Sequence, residues 1–383
     1  RQIRRQRYPP GPHRLGADKR PRRAADSRKS RLRRRIRKEH ELRLRLQMLH
    51  SNFYQGIKKR WHCRRKSKKW RKTMSVLAIT GITSKSGSYF YKLLIQNKNI
   101  LTKKYSGGIR FFVRESSDLS LMKNSDFHYE IYRDKLGLAN YHYVCSALKD
   151  VDTVVHIAGI FYSENIVDAA IACHVRRLIL VHTTGIYSKY KKAGEEYRRI
   201  DKLVYEKCKA NRIIITILRP TMIYGNMNDH NISVFIKLVD KLPIMPVVNN
   251  AQYVLQPVHC DDLGEAYYQV LLNESSTANL DFDLSGGAPI LLRDILSEIA
   301  VCLNKQIRFF NVPFIFAYLL AWLLFLVTFS KYDYREKVQR LCEPRAYSHA
   351  SATLAFGYQP RTFQEGIASE VREYLSNKES RKR

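Results

Sequence analysis

The sequence predicts an α/β protein built on a doubly wound parallel sheet. Three observations predict it. A short apolar run at residues 75–80 precedes a turn that contains glycine and then a helical pattern. Four further runs rich in β-forming residues follow. Helical patterns separate several of them. Strands that alternate with helices in this way are typical of parallel sheets with helices on both faces.

The first strand and its turn indicate a phosphate-binding element. The turn reads Gly81-Ile-Thr83-Ser84-Lys85-Ser-Gly87, and residues 88–95 read as a helix. A strand, a glycine turn and a helix in this order direct backbone N–H groups and a helix N-terminus at a phosphate.

The remaining strands are predicted at residues 109–113, 153–157, 178–182 and 213–218. The clearest helical patterns between them cover residues 164–173 and 194–210. In a sheet of this class the ligand lies at the carboxyl ends of the strands.

Six further motifs, in order along the chain, resemble those of extended short-chain dehydrogenases/reductases of the NAD-dependent epimerase/dehydratase type. The glycine turn resembles the family's TGxxGxxG loop, with Ser84 in place of the middle glycine. The other segments are VHIAG at 155–159, TTGIY at 183–187, LRPTMIYG at 218–225, QPVHCDDL at 256–263, FDLSGG at 282–287 and FGYQP at 356–360. The resemblance covers residues 74–376.

The resemblance implies a Rossmann-type fold with a smaller C-terminal α/β substrate lobe. The NAD(P)-binding domain would cover residues 74–225, with residues 253–263 returning to it. The substrate lobe would comprise residues 226–252 and 264–376.

The resemblance also implies which residues hold the cofactor. These are the turn residues and those that follow the later strands: Gly81, Thr83, Ser84, Lys85, Gly87, Arg114, Ala158, Gly159, Thr183, Tyr197, Pro220 and Thr221. Arg114 ends the second strand, where an acid would bind the ribose hydroxyl of NAD and an arginine accommodates the 2′-phosphate of NADP. We therefore expect NADP, although Glu115 leaves NAD open. Asp134 is the nearest candidate for the acid beside the adenine.

Catalysis in the family uses a Ser or Thr, a Tyr and a Lys. Thr183 or Thr184 matches the first and Tyr197 the second, whereas the lysine position, four residues after Tyr197, holds Asp201. A nearby carboxylate raises a phenol pKa, the wrong direction for a base at neutral pH. Tyr187 and Lys191 also have the spacing of the pair and are the alternative. The departure at Asp201 puts hydride chemistry in doubt.

Charge is concentrated at the start of the chain. The protein has 68 Lys+Arg and 34 Asp+Glu. Residues 1–73 contain 29 of the basic residues and four of the acidic ones. Such a segment predicts disorder, and its functional interpretation is an arm for nucleic acid or anionic lipid. Because the chain begins with Arg and Met74 directly precedes the first strand, we expect residues 1–73 to lie outside the natural protein, which makes nucleic acid an improbable partner.

Residues 312–330 form an apolar stretch without a charge, and basic residues follow it. At about 1.5 Å per residue a helix of this length approaches the thickness of a bilayer core. Three interpretations are open: a monotopic helix on the membrane, a buried helix of the substrate lobe, or a spanning helix. Spanning would separate the C-terminal motifs from the domain on which they are expected to pack.

The resemblance implies an NAD(P)-dependent epimerase, dehydratase or reductase that acts on a nucleotide-sugar, of the kind that serves bacterial cell-surface polysaccharide synthesis. We expect a cytoplasmic protein, peripheral on the inner face of the membrane if residues 312–330 contact it, and a homodimer by family habit. Seven scattered cysteines give no metal-binding spacing. The alternatives are a membrane-associated oxidoreductase like the hydroxysteroid dehydrogenases and a catalytically silent NADP-binding protein.

Overall fold

The computed structural model describes residues 74–122, 128–229, 231–329, 331 and 333–380. The described residues form one compact unit. The predictions for the basic segment at residues 1–73 lie outside the described residues.

The described residues contain thirteen strands. They are β1 (Leu77–Thr80), β2 (Ile109–Arg114), β3 (Tyr129–Asp134), β4 (Thr153–His156), β5 (Arg177–Val181), β6 (Ile214–Pro220), β7 (Ile223–Tyr224), β8 (Ile244–Val248), β9 (Val254–Leu255), β10 (Val258–His259), β11 (Leu280–Leu284), β12 (Ile290–Leu291) and β13 (Arg308–Val312).

Seven of these strands form one parallel sheet in the order β11-β6-β5-β4-β1-β2-β3. The order reverses beside β1, which pairs with β4 on one side and with β2 on the other. A reversal of this kind opens a crevice at the carboxyl ends of the strands. The remaining strands pair in twos: β7 with β10, β9 with β12 and β8 with β13.

The described residues also contain thirteen α-helices. They are α1 (Lys85–Gln96), α2 (Lys98–Lys104), α3 (Tyr141–Ala147), α4 (Ser163–Ala172), α5 (Gly194–Ala210), α6 (Ile232–Lys241), α7 (Cys260–Leu272), α8 (Glu274–Thr277), α9 (Leu292–Cys302), α10 (Phe314–Val327), α11 (Arg335–Leu341), α12 (Ala350–Phe356) and α13 (Phe363–Ser380).

Two hydrophobic cores cover the faces of the sheet. Alternate residues of β1 point to opposite sides, so that Leu77 and Ile79 pack with α1 and α7 while Ala78 packs with α4 and α5. Every residue of β1, β4 and β5 is buried, as expected of parallel strands covered on both faces. A third core, around Ile236, Ile295 and Ile367, belongs to the C-terminal lobe.

The predicted fold class is therefore confirmed. The helix predicted at residues 194–210 has the same bounds in the structure, and the other predicted elements shift by a few residues. Two strands of the seven-stranded sheet were not predicted, β3 and β11, which form its two edges. The residues of β3 are all exposed or half-buried, so it lacks the apolar run that marks the central strands.

The apolar stretch forms the helix α10, and the interpretation as a buried helix is wrong. Only Ala321 is buried in α10, whereas Ile315 is 76% exposed and Val327 is 74% exposed. No helix among the described residues combines the length and the apolar character needed to cross a membrane.

Arg177 fixes the start of β5 to the end of α7. Its side chain is fully buried, and its guanidinium donates to the backbone oxygens of Leu271 at 3.0 Å and Val270 at 2.7 Å. A cation at this point satisfies carbonyls that a helix end leaves unpaired. Burial lowers the pKa of Arg177, although the carboxylate of Glu274 opposes the shift.

We expect Arg177→Met to lower the free energy of unfolding by about 3 kcal/mol, since it removes the buried donor of the Val270 carbonyl and of the Thr277 hydroxyl and one of the two side-chain donors of the Leu271 carbonyl. The matched control is Arg176→Met. Arg176 is half-exposed and pairs with Asp152 and Glu274, so its loss should lower the free energy by less than about 1 kcal/mol. Urea unfolding of both variants measures the difference, and equal losses would contradict the assignment.

Candidate functional site

The first turn brings β1 very close to the segment after β4. Gly81 has φ +73°, and a Cβ there would lie 2.8 Å from the backbone nitrogen of Ala158. A Cβ on Gly87 would lie 2.3 Å from the carbonyl oxygen of Gly81. Both positions therefore require glycine. Turns that let a ligand approach the backbone closely also require glycine.

Ser84, which replaces the family's middle glycine, is the N-cap of α1. Its backbone is extended (φ −73°, ψ 169°), and its hydroxyl accepts a hydrogen bond from the Gly87 backbone nitrogen at 3.1 Å. Serine is a favoured N-cap because it satisfies an amide that the helix cannot. Ser84 thus preserves the start of the helix. Its hydroxyl also occupies the Gly87 backbone amide, which the turn would otherwise present to a ligand.

A cleft of about 690 Å³ opens beside this turn, at the carboxyl ends of β1, β2 and β4; we call it the turn cleft. Six residues of its lining were predicted to bind the cofactor: Gly81, Thr83, Ser84, Arg114, Ala158 and Gly159. Tyr143 and Tyr162 add aromatic surface to the wall. The volume of the cleft, the glycines that leave room at the turn and the N-terminus of α1 fit a dinucleotide.

Arg114 lies at the mouth of the turn cleft, at the end of β2, and its side chain is exposed. Its backbone nitrogen donates to the Ser117 hydroxyl at 3.1 Å, which shapes the loop. Asp134 does not line the cleft. Its carboxylate accepts from the backbone nitrogens of Leu136 and Gly137, both at 2.8 Å, so it supports the wall of the cleft rather than presenting an acid to it.

Lys85 is separated from the other turn residues. Its ammonium group lies 3.5 Å from the backbone oxygen of Asn226 and lines a neighbouring cavity of about 240 Å³ that it shares with Thr83. Burial lowers its pKa, although the carboxylates of Asp229 and Glu370 oppose the shift. The structure therefore places Lys85 next to the C-terminal lobe and not in the turn cleft.

A second cavity, of about 280 Å³, lies beyond the carboxyl ends of β5 and β6; we call it the threonine cavity. Thr183, Thr184 and Thr221 line it. The Thr184 hydroxyl donates to the backbone oxygen of Pro220 at 3.1 Å, and Thr183 accepts from the backbone nitrogen of Gly185 at 3.0 Å. Pro220 itself is buried in β6.

Tyr197 lies behind this wall, on α5, and is 9% exposed. The ammonium of Lys191 lies 4.6 Å from the centroid of its ring, and the ring of Phe161 lies 5.3 Å away. A Cβ on Gly185 would lie 3.1 Å from Tyr197 Cε2, 3.2 Å from Lys191 Nζ and 3.2 Å from Thr183 Oγ1. The three side chains thus meet around Gly185. Burial raises the pKa of Tyr197.

The alternative pair of Tyr187 and Lys191 is not formed. The hydroxyl of Tyr187 donates to Asp283 at 3.1 Å, and its ring packs against Tyr347. Lys191 belongs instead to Tyr197, from the turn before α5 rather than from the helix itself. Spacing along the sequence could not show this, since the contact depends on how the turn folds back.

Asp201 points away from both cavities, into the packing between α5 and the sheet. Its carboxylate lies 2.6 Å from His182 Nδ1 and 2.6 Å from Arg219 Nη2. Arg219 also pairs with Asp281. Burial opposes the charge on Asp201, but the hydrogen bond from His182 and the charge of Arg219 outweigh it, so its pKa is lowered. The helix position that holds a lysine in the family is therefore structural here.

Two cationic side chains of the threonine cavity were missed by the sequence analysis, Arg340 of α11 and Arg345 after it. Arg340 is one of the basic residues that follow the apolar stretch, and Arg345 lies further along the chain. The segment of Arg345 packs on the body of the protein because it bridges to Leu255 in β9. The sequence shows only that these two residues are charged, whereas tertiary structure determines which cavity their side chains line.

One cluster of possible metal ligands occurs among the described residues: His259, Cys260 and Asp261, whose ligand atoms lie within 4.8 Å of one another. His259 Nδ1 accepts from the Asp261 backbone nitrogen at 3.2 Å and caps α7. Burial raises the pKa of Cys260 to about 12, which disfavours the thiolate that binds metals. The side chain of His259 in this cluster therefore caps the N-terminus of α7.

No protein-family profile and no curated protein matches the sequence. Solved structures match strongly. The dTDP-glucose 4,6-dehydratase of Streptomyces venezuelae, with NAD bound, is 15% identical with a TM-score of 0.59, over 79% of this chain and 98% of that one. The UDP-glucose 4-epimerase of Thermotoga maritima is 14% identical with a TM-score of 0.57, over 79% and 99%.

A dTDP-glucose 4,6-dehydratase of Bacillus anthracis in complex with NAD gives the same result, with 15% identity, a TM-score of 0.58 and coverage of 80% and 98%. The similarity spans the sheet and the C-terminal lobe together, since nearly the whole of each of these chains is matched. The chain therefore has the Rossmann-type fold of the NAD-dependent epimerase/dehydratase enzymes, as its motifs predicted.

Proposed function

We propose that the protein is an NAD(P)-dependent epimerase, dehydratase or reductase that acts on a nucleotide-linked sugar, in bacterial cell-surface polysaccharide synthesis. The observation that carries the proposal is the glycine turn packed against Ala158 at the edge of a cleft large enough for a dinucleotide. Structures with this fold include enzymes solved with NAD and with UDP-glucose.

The turn cleft would hold the cofactor. Gly81 and Gly87 leave room for the pyrophosphate, and the start of α1 offers a positive helix end. When bound, the nicotinamide supplies a hydride acceptor or donor. Arg114 supports a preference for NADP, because its exposed guanidinium at the mouth of the cleft can pair with a 2′-phosphate.

The proposed chemistry of the chain's own residues centres on Gly185. The Thr183 hydroxyl accepts from a backbone amide and retains its own proton, which it can donate to a substrate oxygen. Tyr197 would move the proton of the substrate hydroxyl. Burial raises the pKa of its phenol, and the charge of Arg340 opposes this shift. The ammonium of Lys191 lies 4.6 Å from the centroid of the ring. Lys191 thus supplies a charge that Asp201 cannot.

A catalytically silent NADP-binding protein is the second candidate. It is favoured by one observation: Asp201 commits the usual lysine position to His182 and Arg219. This candidate shares the cofactor cleft with the first and differs only in turnover.

We also propose a peripheral location on the cytoplasmic face of a membrane. The helix α10 is apolar on all sides and exposed, and large exposed apolar patches mark interaction surfaces. Lys331 and Lys337 follow it in sequence, as suits an anionic surface. The same helix would suit an apolar substrate of the hydroxysteroid type.

Arg114→Ala should weaken NADPH binding by roughly 10-fold or more and leave NADH binding nearly unchanged, because a charge-assisted pair contributes about 1.5–3 kcal/mol. Calorimetric titration of the full chain measures both affinities. The control is Arg133→Ala, on the exposed part of neighbouring β3. If neither nucleotide binds the unmodified protein, the cofactor proposal is wrong.

Tyr197→Phe should lower turnover by at least about 100-fold, since a positioned acid/base contributes 10²–10⁴-fold. NADPH affinity is measured in the same samples, so that a loss of turnover is distinguished from a loss of cofactor binding. The assay follows UDP-glucose, dTDP-glucose and UDP-glucuronate by product analysis. Tyr205→Phe, an exposed tyrosine on the same helix, is the control. Nucleotide binding without any turnover in the unmodified protein would favour the silent candidate.

The triple variant Ile315→Glu, Leu319→Glu, Leu326→Glu should abolish flotation with phosphatidylcholine vesicles, because it places charges on one exposed side of α10. High salt (about 0.5 M) screens the basic segment at residues 1–73. The control is Val301→Glu with Leu354→Glu, two other exposed apolar positions. Failure of the unmodified protein to float would contradict the membrane proposal.

A further inference from the structure

The turn between β5 and α5 covers residues 182–193 and contains Lys191. A carboxylate from a distant part of the chain holds its middle. Glu343 accepts a hydrogen bond from the Ser188 hydroxyl at 2.6 Å and another from the Lys189 backbone nitrogen at 2.8 Å. Each oxygen of one carboxylate thus binds the same turn, and Ser188 and Glu343 are 155 residues apart in the sequence.

Glu343 reaches the turn from a firmly held segment. The residue is buried and comes shortly after α11. The residues after it are fixed to the body of the protein, because the Arg345 backbone nitrogen donates to the Val254 backbone oxygen at 2.9 Å and the Tyr347 backbone nitrogen donates to Gln256 Oε1 at 3.1 Å. A buried carboxylate is stable only when it is hydrogen-bonded, and the turn supplies two donors to this one.

Ser188 connects this carboxylate to Lys191. Ser188 is buried, and its hydroxyl oxygen accepts a hydrogen bond from the Lys191 backbone nitrogen at 3.2 Å while its proton goes to Glu343. A hydroxyl can donate and accept at the same time. The backbone oxygen of Lys191 accepts in turn from the Gly194 backbone nitrogen at 2.8 Å, at the first residue of α5. The backbone of Lys191 is therefore held on both sides.

The position of this backbone decides where the Lys191 side chain goes. Lys191 is half-buried, and its ammonium lies 4.6 Å from the centroid of the Tyr197 ring. The next residue, Lys192, is exposed and pairs with Asp333 at 2.7 Å. Two adjacent lysines thus have opposite environments. Burial lowers the pKa of Lys191 to about 8, and a flexible lysine stays in such a place only if the backbone presents it there.

We infer that Glu343 is a positioning residue, which acts through Ser188 to hold the turn so that the Lys191 ammonium faces Tyr197. The inference deepens the proposed function and rests on it only for the chemistry that Tyr197 performs. It makes the segment after α11 a part of the reaction centre, although that segment lies far from the cofactor turn in the sequence.

The experiment measures the ionisation of Lys191 in the full chain by competitive labelling with acetic anhydride. Only the neutral amine reacts, so labelling over a pH series with peptide mass spectrometry gives a midpoint for Lys191. In the unmodified protein we expect a midpoint of about 8. Glu343→Ala leaves the Ser188 hydroxyl without its acceptor and releases the turn. The midpoint should then rise by at least about one unit, towards the ordinary lysine value of about 10.4.

Glu343→Gln separates the geometry of the contact from its charge. A glutamine amide can accept from the Lys189 backbone nitrogen and donate to the Ser188 hydroxyl oxygen, so the turn is retained without a charge. The Lys191 midpoint should change by less than about 0.5 unit. Loss of a negative charge by itself would lower the pKa of Lys191 in both variants. A fall in the alanine variant, or an equal change in both variants, would overturn the inference.

The remaining surroundings of Lys191 are the same in every variant. The charged or ionisable groups that face it are Arg340, Arg345, Glu336 and Tyr197. The matched control is Lys192→Gln, which removes the surface ion pair between the same turn and Asp333. Because exposed pairs contribute little, the control should shift the Lys191 midpoint by less than about 0.5 unit.

Ser188→Ala tests the connecting hydroxyl and replaces Glu343→Ala if that variant does not fold, which thermal melting establishes first. It should raise the Lys191 midpoint as Glu343→Ala does. The double variant should shift no further than either single one, because both act through one chain of hydrogen bonds. An unchanged midpoint in Ser188→Ala contradicts the inference. If the unmodified protein binds no NADPH but the Lys191 shifts remain, the enzyme proposal fails and the positioning role of Glu343 stands.

Discussion

The carboxylate of Asp201 holds together the elements on which the site depends. It reaches from α5 to His182, just beyond β5, and to Arg219 in β6, and Arg219 continues to Asp281 in β11. A buried charge is stable only when it is paired and hydrogen-bonded. This network therefore fixes the helix against three neighbouring strands, and the turn that contains Thr183 and Gly185 begins directly after His182.

The same network explains why the family's lysine is absent from its helix position. An ammonium group at residue 201 would face Arg219, and like charges out of water repel each other strongly. The positive charge beside Tyr197 comes instead from Lys191 in the preceding turn, at 4.6 Å from the ring centroid. A positive charge thus lies near the tyrosine, although a different residue provides it. Burial lowers the pKa of Lys191 to about 8.

The exposed helix and the cationic cavity are adjacent in the chain. The helix α10 ends shortly before α11, and the guanidinium of Arg335 lies 3.8 Å from the centroid of the Phe325 ring, which connects the two helices. Arg340, one turn further along α11, lines the threonine cavity. A single short helix therefore joins the exposed apolar helix α10 to a cavity that is lined by cationic side chains.

The sequence by itself determined the parallel sheet, the glycine turn and the helix that carries Tyr197, because these follow from local patterns of apolar residues and from steric limits at Gly81 and Gly87. It left out the edge strands β3 and β11, which lack a fully buried pattern. Tertiary structure alone decided the partners of Asp201, the pairing of Lys191 with Tyr197 and the return of Arg345 to the cavity. Those contacts join segments that are distant in the chain, and a charged residue in a sequence carries no record of the direction in which it will point.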